Sequence, residues 1–295
     1  RWTFDKEKIG STPSGWRVAE TGGTGKTGKW AVTNDNSAPS NPSVLQLKTQ
    51  AESRTFNLCI AEGSSFRDLD LRVMVKGESG NVDQGGGPIW RFQDENNYYI
   101  CRINPLEGNF RVYKVVDGKR SQLESANLES KTGEWYEVRA VMAGNKIECY
   151  VDGKKLLETT DDTFESSGMV GLWTKADASS SFDDLVVRTV ASLDANEIDR
   201  TIGGTGTWID AEGVYKVAFP RDDVPVSVDG RSMEPFMGFT SWAAFQTGKA
   251  AEAMVMGDLV LFEDEVNPAM SAALESGIEV TALHNHFFFD EPKVY

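Results

Sequence analysis

The sequence predicts a mainly β chain: an antiparallel two-sheet sandwich over residues 1–190, then a smaller α+β domain over residues 193–295. Three observations predict it. Strand-like runs recur about every 8–12 residues before residue 190, with no helical pattern among them. Leu69, Leu71, Val73 and Val75 alternate with Asp70, Arg72 and Met74. Tyr136, Val138, Ala140 and Met142 likewise alternate with Trp135, Glu137, Arg139 and Val141. A period of two buries one face of a strand and leaves the other outside. Finally, Val-Asp-Gly occurs at 116–118 and 151–153 between such runs, and Asp-Gly accepts the positive φ angles of a two-residue hairpin.

Ala143-Gly144-Asn145 marks a further turn. The pattern changes near residue 190. Leu193 to Ile202 has the spacing of a short helix, stopped by Gly203-Gly204. A strand-rich stretch follows, with a third Val-Asp-Gly at 228–230. Met254 to Leu261 reads as a buried strand. Asn267 is expected to cap a helix with Pro268 at its first position, Gly277 just past its end, and an apolar face of Met270, Ala273 and Leu274. Ile278 to Phe289 is rich in β-branched and aromatic residues and reads as a strand. Strand, helix, strand in that order makes the second domain α+β or α/β, and α+β is taken as its class.

Composition excludes several functions. The 295 residues are 40% hydrophobic and 25% charged, as in an ordinary globular chain. No apolar run approaches the roughly 18 residues of a membrane span. A net charge of −15 argues against a nucleic-acid backbone or an anionic membrane surface. Cys59, Cys101 and Cys149 lie in apolar, strand-like sequence. Three cysteines admit one disulfide and a thiol, or three buried thiols.

The chain's two histidines, His284 and His286, are one residue apart. On a strand both imidazoles would face one side, at a spacing that can hold a transition metal such as zinc, with Glu291 as a third ligand. Two histidines packed or hydrogen-bonded at a sheet face are the alternative. Gly22 to Thr27 imitates a phosphate-binding loop, but Glu20 stands where its first glycine belongs and a turn and strand follow instead of a helix. It reads as a flexible loop.

Gly86 to Phe92, Asn97 to Arg102, Val170 to Asp177 and Ser181 to Val187 resemble concanavalin/laminin-G-like jelly-roll domains of secreted bacterial proteins, relatives of family 16 glycoside hydrolases and 3-keto-disaccharide hydrolases. The resemblance covers most of residues 2–188. It implies a jelly roll with one concave face used on carbohydrate. The Glu-x-Asp-x-x-Glu strand motif of family 16 is missing, and neither Asp94-Glu95 nor Glu263-Asp264-Glu265 replaces it, so binding is expected more than cleavage. The resemblance also implies a structural calcium between the N-terminal segment and the last strand. Asp183, expected on the face of Leu185 and Val187, and Asp5 are its candidate ligands, against Asp183 as a solvated edge charge. Strand parity proposes Arg91, Tyr98, Arg102, Arg111, Tyr113, Trp173 and Lys175 as the carbohydrate face. Its rings would stack on sugars and its cations would orient hydroxyls or a carboxylate, with the sandwich core as the alternative place for each ring.

Gly213 to Val217, Pro220 to Asp223, Ser241 to Phe245, Met256 to Leu261, Glu265 to Pro268 and Thr281 to His286 resemble an LppY/LpqO-type domain of bacterial secreted proteins. Members continue into a further His-bearing strand and a helix, so the resemblance implies an incomplete domain here. The His-x-His run also imitates a cupin metal motif, but the preceding helix argues against that all-β fold. The chain opens at Arg1 with neither Met nor a signal segment, as a processed protein or a trimmed segment would. The leading expectation is a secreted, periplasmic or cell-surface protein whose jelly roll binds a polysaccharide or other extracellular polymer. The alternatives are a metal-dependent hydrolase, with His284, His286 and Glu291 or Glu265, and a structural surface or filament subunit that self-associates through sheet edges.

Overall fold

The computed structural model describes all residues except 24–27, 41, 52, 191–192, 210–211 and 248–252. Most of the phosphate-loop imitation at 22–27 therefore lies outside the described residues. The chain divides into two compact units, Arg1–Val190 and Ala191–Tyr295.

The first unit is built from fourteen strands: β1 (Trp16–Thr21), β2 (Lys29–Asn34), β3 (Ser43–Lys48), β4 (Phe56–Phe66), β5 (Leu69–Ser79), β6 (Gly87–Asp94), β7 (Asn97–Asn104), β8 (Asn109–Val116), β9 (Lys119–Asn127), β10 (Trp135–Ala143), β11 (Lys146–Val151), β12 (Lys154–Thr160), β13 (Gly168–Lys175) and β14 (Ser179–Thr189). They form two antiparallel sheets of seven strands. Sheet 1 runs β1-β4-β13-β6-β7-β8-β9 and sheet 2 runs β12-β11-β10-β5-β14-β3-β2. The sandwich lies between them. Leu69, Leu71, Val73 and Val75 of β5 and Val138, Ala140 and Met142 of β10 point into it, with Trp90, Tyr99, Cys101 and Val112 from the facing sheet. Burying each such aliphatic side chain stabilises the fold by about 1.5–3 kcal/mol. The alternate residues face out, where Arg139 pairs with Asp70 at 2.7 and 2.9 Å.

Both expected hairpins form. Asp117 and Gly118 take φ of 50° and 74°, and Asp152 and Gly153 take 48° and 77°, which closes β8–β9 and β11–β12 with tight turns. Cys59, Cys101 and Cys149 are free and buried.

The second unit holds a four-stranded antiparallel sheet. It comprises β15 (Thr207–Ile209), β16 (Val214–Pro220), β19 (Thr240–Thr247) and β20 (Ala253–Asp258) in that order. A small sheet joins β17 (Ser227–Val228), β18 (Arg231–Ser232) and β21 (Asp290–Glu291). The third Val-Asp-Gly turns β17 into β18, with φ of 50° at Asp229 and 71° at Gly230. Helix α1 (Ala195–Ile202) starts at Asp194, whose carboxylate accepts from Glu197 N–H, and stops at Gly203 with φ 71°.

Three expectations are corrected here. Helix α2 spans Val266–Glu275 and begins after Glu265, so Pro268 sits third in it rather than first. Proline is tolerated there because the N–H groups of the first turn have no partner within the helix. β20 is a strand but not a buried one: it is the outer strand of its sheet, and Met256 is 62% exposed. Residues 278–289 form no strand: they join no ladder, bend at His286, Phe288 and Phe289, and take φ 61° at Phe289. β-rich composition supplies a strand's propensity, not the neighbour it needs.

Candidate functional site

The face of sheet 1 turned away from the sandwich is rolled upon itself. Thr21, at the end of edge strand β1, bonds the Tyr98 hydroxyl in β7 at 2.8 Å and the Glu95 carbonyl. Arg17 of β1 pairs with Glu95 and lies 5.4 Å from the Phe92 ring. The edge strand thus reaches over to the β6–β7 turn. A second apolar cluster fills the roll, including Phe56, Leu58, Ile60, Phe92, Tyr98, Ile100, Tyr113, Val115 and Trp173.

The other end of the same face is polar. Arg102 and Arg111 stand opposite each other on β7 and β8. Arg102 donates to Asn109 Oδ1 at 2.6 Å, Glu107 Oε2 at 2.9 Å and the Tyr113 hydroxyl at 3.3 Å. Arg111 shares Glu107 Oε2 at 3.1 Å and donates to Ser125. Lys175 pairs with Asp83 at 3.3 Å. Burial pushes the Asp83 carboxyl up, against the pull of Arg102 and Lys175. Trp173 borders this group with its ring fully buried. Gly87 of β6 pairs with Trp173, and a Cβ there would lie 2.0 Å from the Cys101 carbonyl. The glycine keeps the floor flat between β13 and β7.

The structure therefore joins five of the seven predicted face residues at one end: Arg102, Arg111, Tyr113, Trp173 and Lys175. Two are corrected. Arg91 takes φ 44° in a bulge of β6, which turns its side chain off the face. There it donates to the carbonyls of Arg67, Phe164 and Gly144 at 2.6–2.7 Å and to Asp68. It is a buried strut. Tyr98 lies inside the roll, fully buried, with its hydroxyl taken by Thr21. Parity missed Arg120, at the start of β9. Its position just after the Asp-Gly turn, opposite Val115, is the signal that could have found it.

Trp2 pairs with Leu185 as an isolated bridge, bringing the N-terminal segment to the last strand. A bulge with Asp184 at φ 49° puts both Phe182 and Leu185 in the core. Asp183 leaves the Leu185 face and accepts from Ser40 N at 2.8 Å, Ser40 Oγ and Asp184 N. It is fully buried, not a solvated edge charge, and burial pushes its carboxyl up to about 6. Asp5 accepts from Ser43 N at 3.1 Å. Both carboxylates thus address the segment leading into β3.

His284 and His286 lie side by side, ring centroids 6.5 Å apart and planes 14° from parallel. Among the described residues, no three His, Cys, Asp or Glu side chains are grouped to hold a metal ion, so Glu291 does not complete the pair. No helix among them is long and apolar enough to cross a membrane. On the outer face of sheet 2, Asp70, Arg72, Glu137, Arg139, Val186 and Arg188 line an open depression of 260 Å³.

The model of a family described as 3-keto-alpha-glucoside-1,2-lyase-like domain matches residues 3–188. The chain belongs to this family. Downstream of the lyase-like domain, residues 196–295 match a Domain of Unknown Function (DUF1259). No curated protein matches the chain. Several solved structures are similar. The carbohydrate binding module CBM66 from Bacillus subtilis is 17% identical, with a TM-score of 0.49 over 63% of this chain and 99% of its own. The GH43 protein BlXynB from Bacillus licheniformis is 16% identical, with a TM-score of 0.42 over 64% of this chain and 39% of its own. The cellulose induced protein Cip1 is 12% identical, with a TM-score of 0.45 over 60% of this chain and 92% of its own.

Proposed function

We propose that the lyase-like domain binds carbohydrate at the polar end of the rolled face of sheet 1. One observation carries this reading: Arg102, Glu107, Asn109, Arg111 and Tyr113 are linked by contacts of 2.6–3.3 Å beside the Lys175–Asp83 pair. The exposed or part-exposed members of this group are Glu107, Arg111 and Lys175, held in place by the buried Arg102, Asn109, Tyr113 and Asp83, and fixed groups of this kind orient sugar hydroxyls. Recognition is polar rather than by open stacking, because the rings are covered. A polysaccharide or other extracellular polymer suits such a face, and a secreted, periplasmic or surface location suits that partner. On a broad glycan array the wild type should retain at least one glycan. Arg111→Ala and Lys175→Ala should lose it tenfold or more with unchanged melting. An array with no binding at all would sink the reading.

The family match favours a second reading, lyase action on a 3-keto glucoside. Removal of the C2 proton, acidified by the C3 carbonyl, breaks the bond from C1 to the glycosidic oxygen, leaves a C1–C2 double bond and releases the aglycone, whose oxygen takes up a proton and departs as an alcohol. Asp83, desolvated and beside Lys175, is the base this face offers. Incubation with a 3-keto disaccharide should raise enone absorbance, and Asp83→Asn should abolish the rise. Unchanged absorbance with the wild type would exclude the reaction.

Two metal proposals accompany these readings. Calcium between Asp5 and Asp183 is supported by their shared approach to the β3 segment. A transition metal at His284 and His286 is supported by the parallel rings, and needs further ligands from elsewhere. Elemental analysis of untagged protein tests both.

A further inference from the structure

Arg120 is the unexplained charge of the rolled face. Its guanidinium carbon lies 4.3 Å from the Tyr113 ring, 5.3 Å from Phe56 and 5.6 Å from Trp173. Its Nη1 is buried without a hydrogen-bond partner, and so is Nε of Arg102, a residue only 1% exposed. Buried donors without acceptors are costly, and those of a charged group especially so.

The acceptors at this end are already engaged. Glu107 Oε2 serves both Arg102 and Arg111. Asp83 Oδ1 accepts from Asn104, and its Oδ2, which makes no hydrogen bond, is ion-paired with Lys175 at 3.3 Å. Four cations (Arg102, Arg111, Arg120 and Lys175) thus meet two carboxylates (Asp83 and Glu107), leaving two positive charges unmatched in a chain of net charge −15. At physiological salt the Debye length is about 8 Å, so the local excess, not the distant surface, governs a group placed here. What it lacks is a planar, anionic acceptor of the kind that matches guanidinium forks.

We propose that this end of the rolled face recognises the carboxylate of an acidic sugar, with Arg120 and Arg102 supplying the unpaired N–H donors. The proposal rests on the carbohydrate-binding reading above and narrows it to uronate-bearing glycans. The aromatic rings hold Arg120 in place by cation–π contact while leaving its N–H groups to the ligand.

Calorimetry of the full chain with polygalacturonate, alginate and hyaluronan, each beside its methyl ester, tests the assignment, with a sulfated galactan and a neutral glycan array in parallel. At least one acid form should bind, at least tenfold tighter than its ester, and more weakly as salt rises. Arg120→Gln should remove most of that preference, and Arg120→Lys should keep part of it. Melting curves identify any variant that fails to fold, in which case Arg111→Gln serves instead. Esters that bind as well as acids, binding only of neutral or sulfated glycans, or an Arg120→Gln variant that keeps the full preference would each overturn the carboxylate assignment while leaving carbohydrate binding intact. Binding to nothing in the set would overturn both.

Discussion

Thr21 and Tyr98 meet through a 2.8 Å hydrogen bond although three strands, β4, β13 and β6, separate β1 from β7 in sheet 1. A flat sheet could not make that contact. Thr21→Val leaves the buried Tyr98 hydroxyl without its partner and should cost about 1–3 kcal/mol. Tyr98→Phe removes the hydroxyl itself and should cost about 1 kcal/mol. Urea unfolding of both variants and the double mutant measures the pair. Neutral single mutants would mean that the roll does not depend on this closure.

Arg91 should report stability, not binding. Its four hydrogen bonds hold the Arg67, Phe164 and Gly144 carbonyls and Asp68 together. Arg91→Leu strips a buried charge network and should destabilise the lyase-like domain by about 3–5 kcal/mol. Glycan affinity of the folded fraction should stay at the wild-type value.

Asp161 should set part of the acid limit. Burial opposes its ionisation, but Lys114, Thr163 and the Tyr99 hydroxyl pull its carboxyl down to about 2. A folded-state value below the unfolded one of about 3.9 contributes stability that is full above pH 4 or so and is lost as pH falls toward 2. Asp161→Asn should therefore flatten the acid side of the stability profile between about pH 4 and 2. A profile identical to wild type would show that the carboxylate is not so held.

If calcium sits between Asp5 and Asp183, chelator should lower the melting temperature, and Asp183→Asn should remove the sensitivity. Equal melting curves with and without chelator would refute the site.

The three thiols should be inert in the native state. Burial pushes Cys59 up, and Cys101 too, the latter further raised by its neighbour Cys149. The thiolate is the reactive form. A thiol reagent should modify none of the three in buffer and all of them in denaturant. Fast labelling of the native protein would contradict the packing.

Where sequence predicted well, the determinants were local. Alternation along β5 and β10 and the Asp-Gly turns at 117 and 152 need only neighbouring residues. Where it failed, distant partners decided. Arg91 follows its strand's parity until a left-handed backbone at a non-glycine residue turns it away, and no residue type announces that. The burial of Tyr98 and Trp173 depends on a roll closed by Thr21, 77 positions from Tyr98 in sequence. Asp183 is displaced by a bulge at Asp184, again a non-glycine with positive φ. The segment carrying His284 and His286 has strand composition, but pairing is a property of two segments and only one was visible.

The placement of β13 and β14 has a consequence for synthesis. β13 lies between β4 and β6, and β14 lies between β5 and β3. The last two strands of the sandwich are thus interior members of both sheets, and they join its opening third to the rest. At about 5–20 residues per second, strands β3, β4 and β5 emerge roughly 5–20 seconds before β13 and β14, which they flank. During that interval their edges are open to improper pairing. Neither sheet can be completed until residues 168–189 have been made. A nascent chain halted at residue 165 should remain sensitive to protease, while one released past residue 190 should resist it.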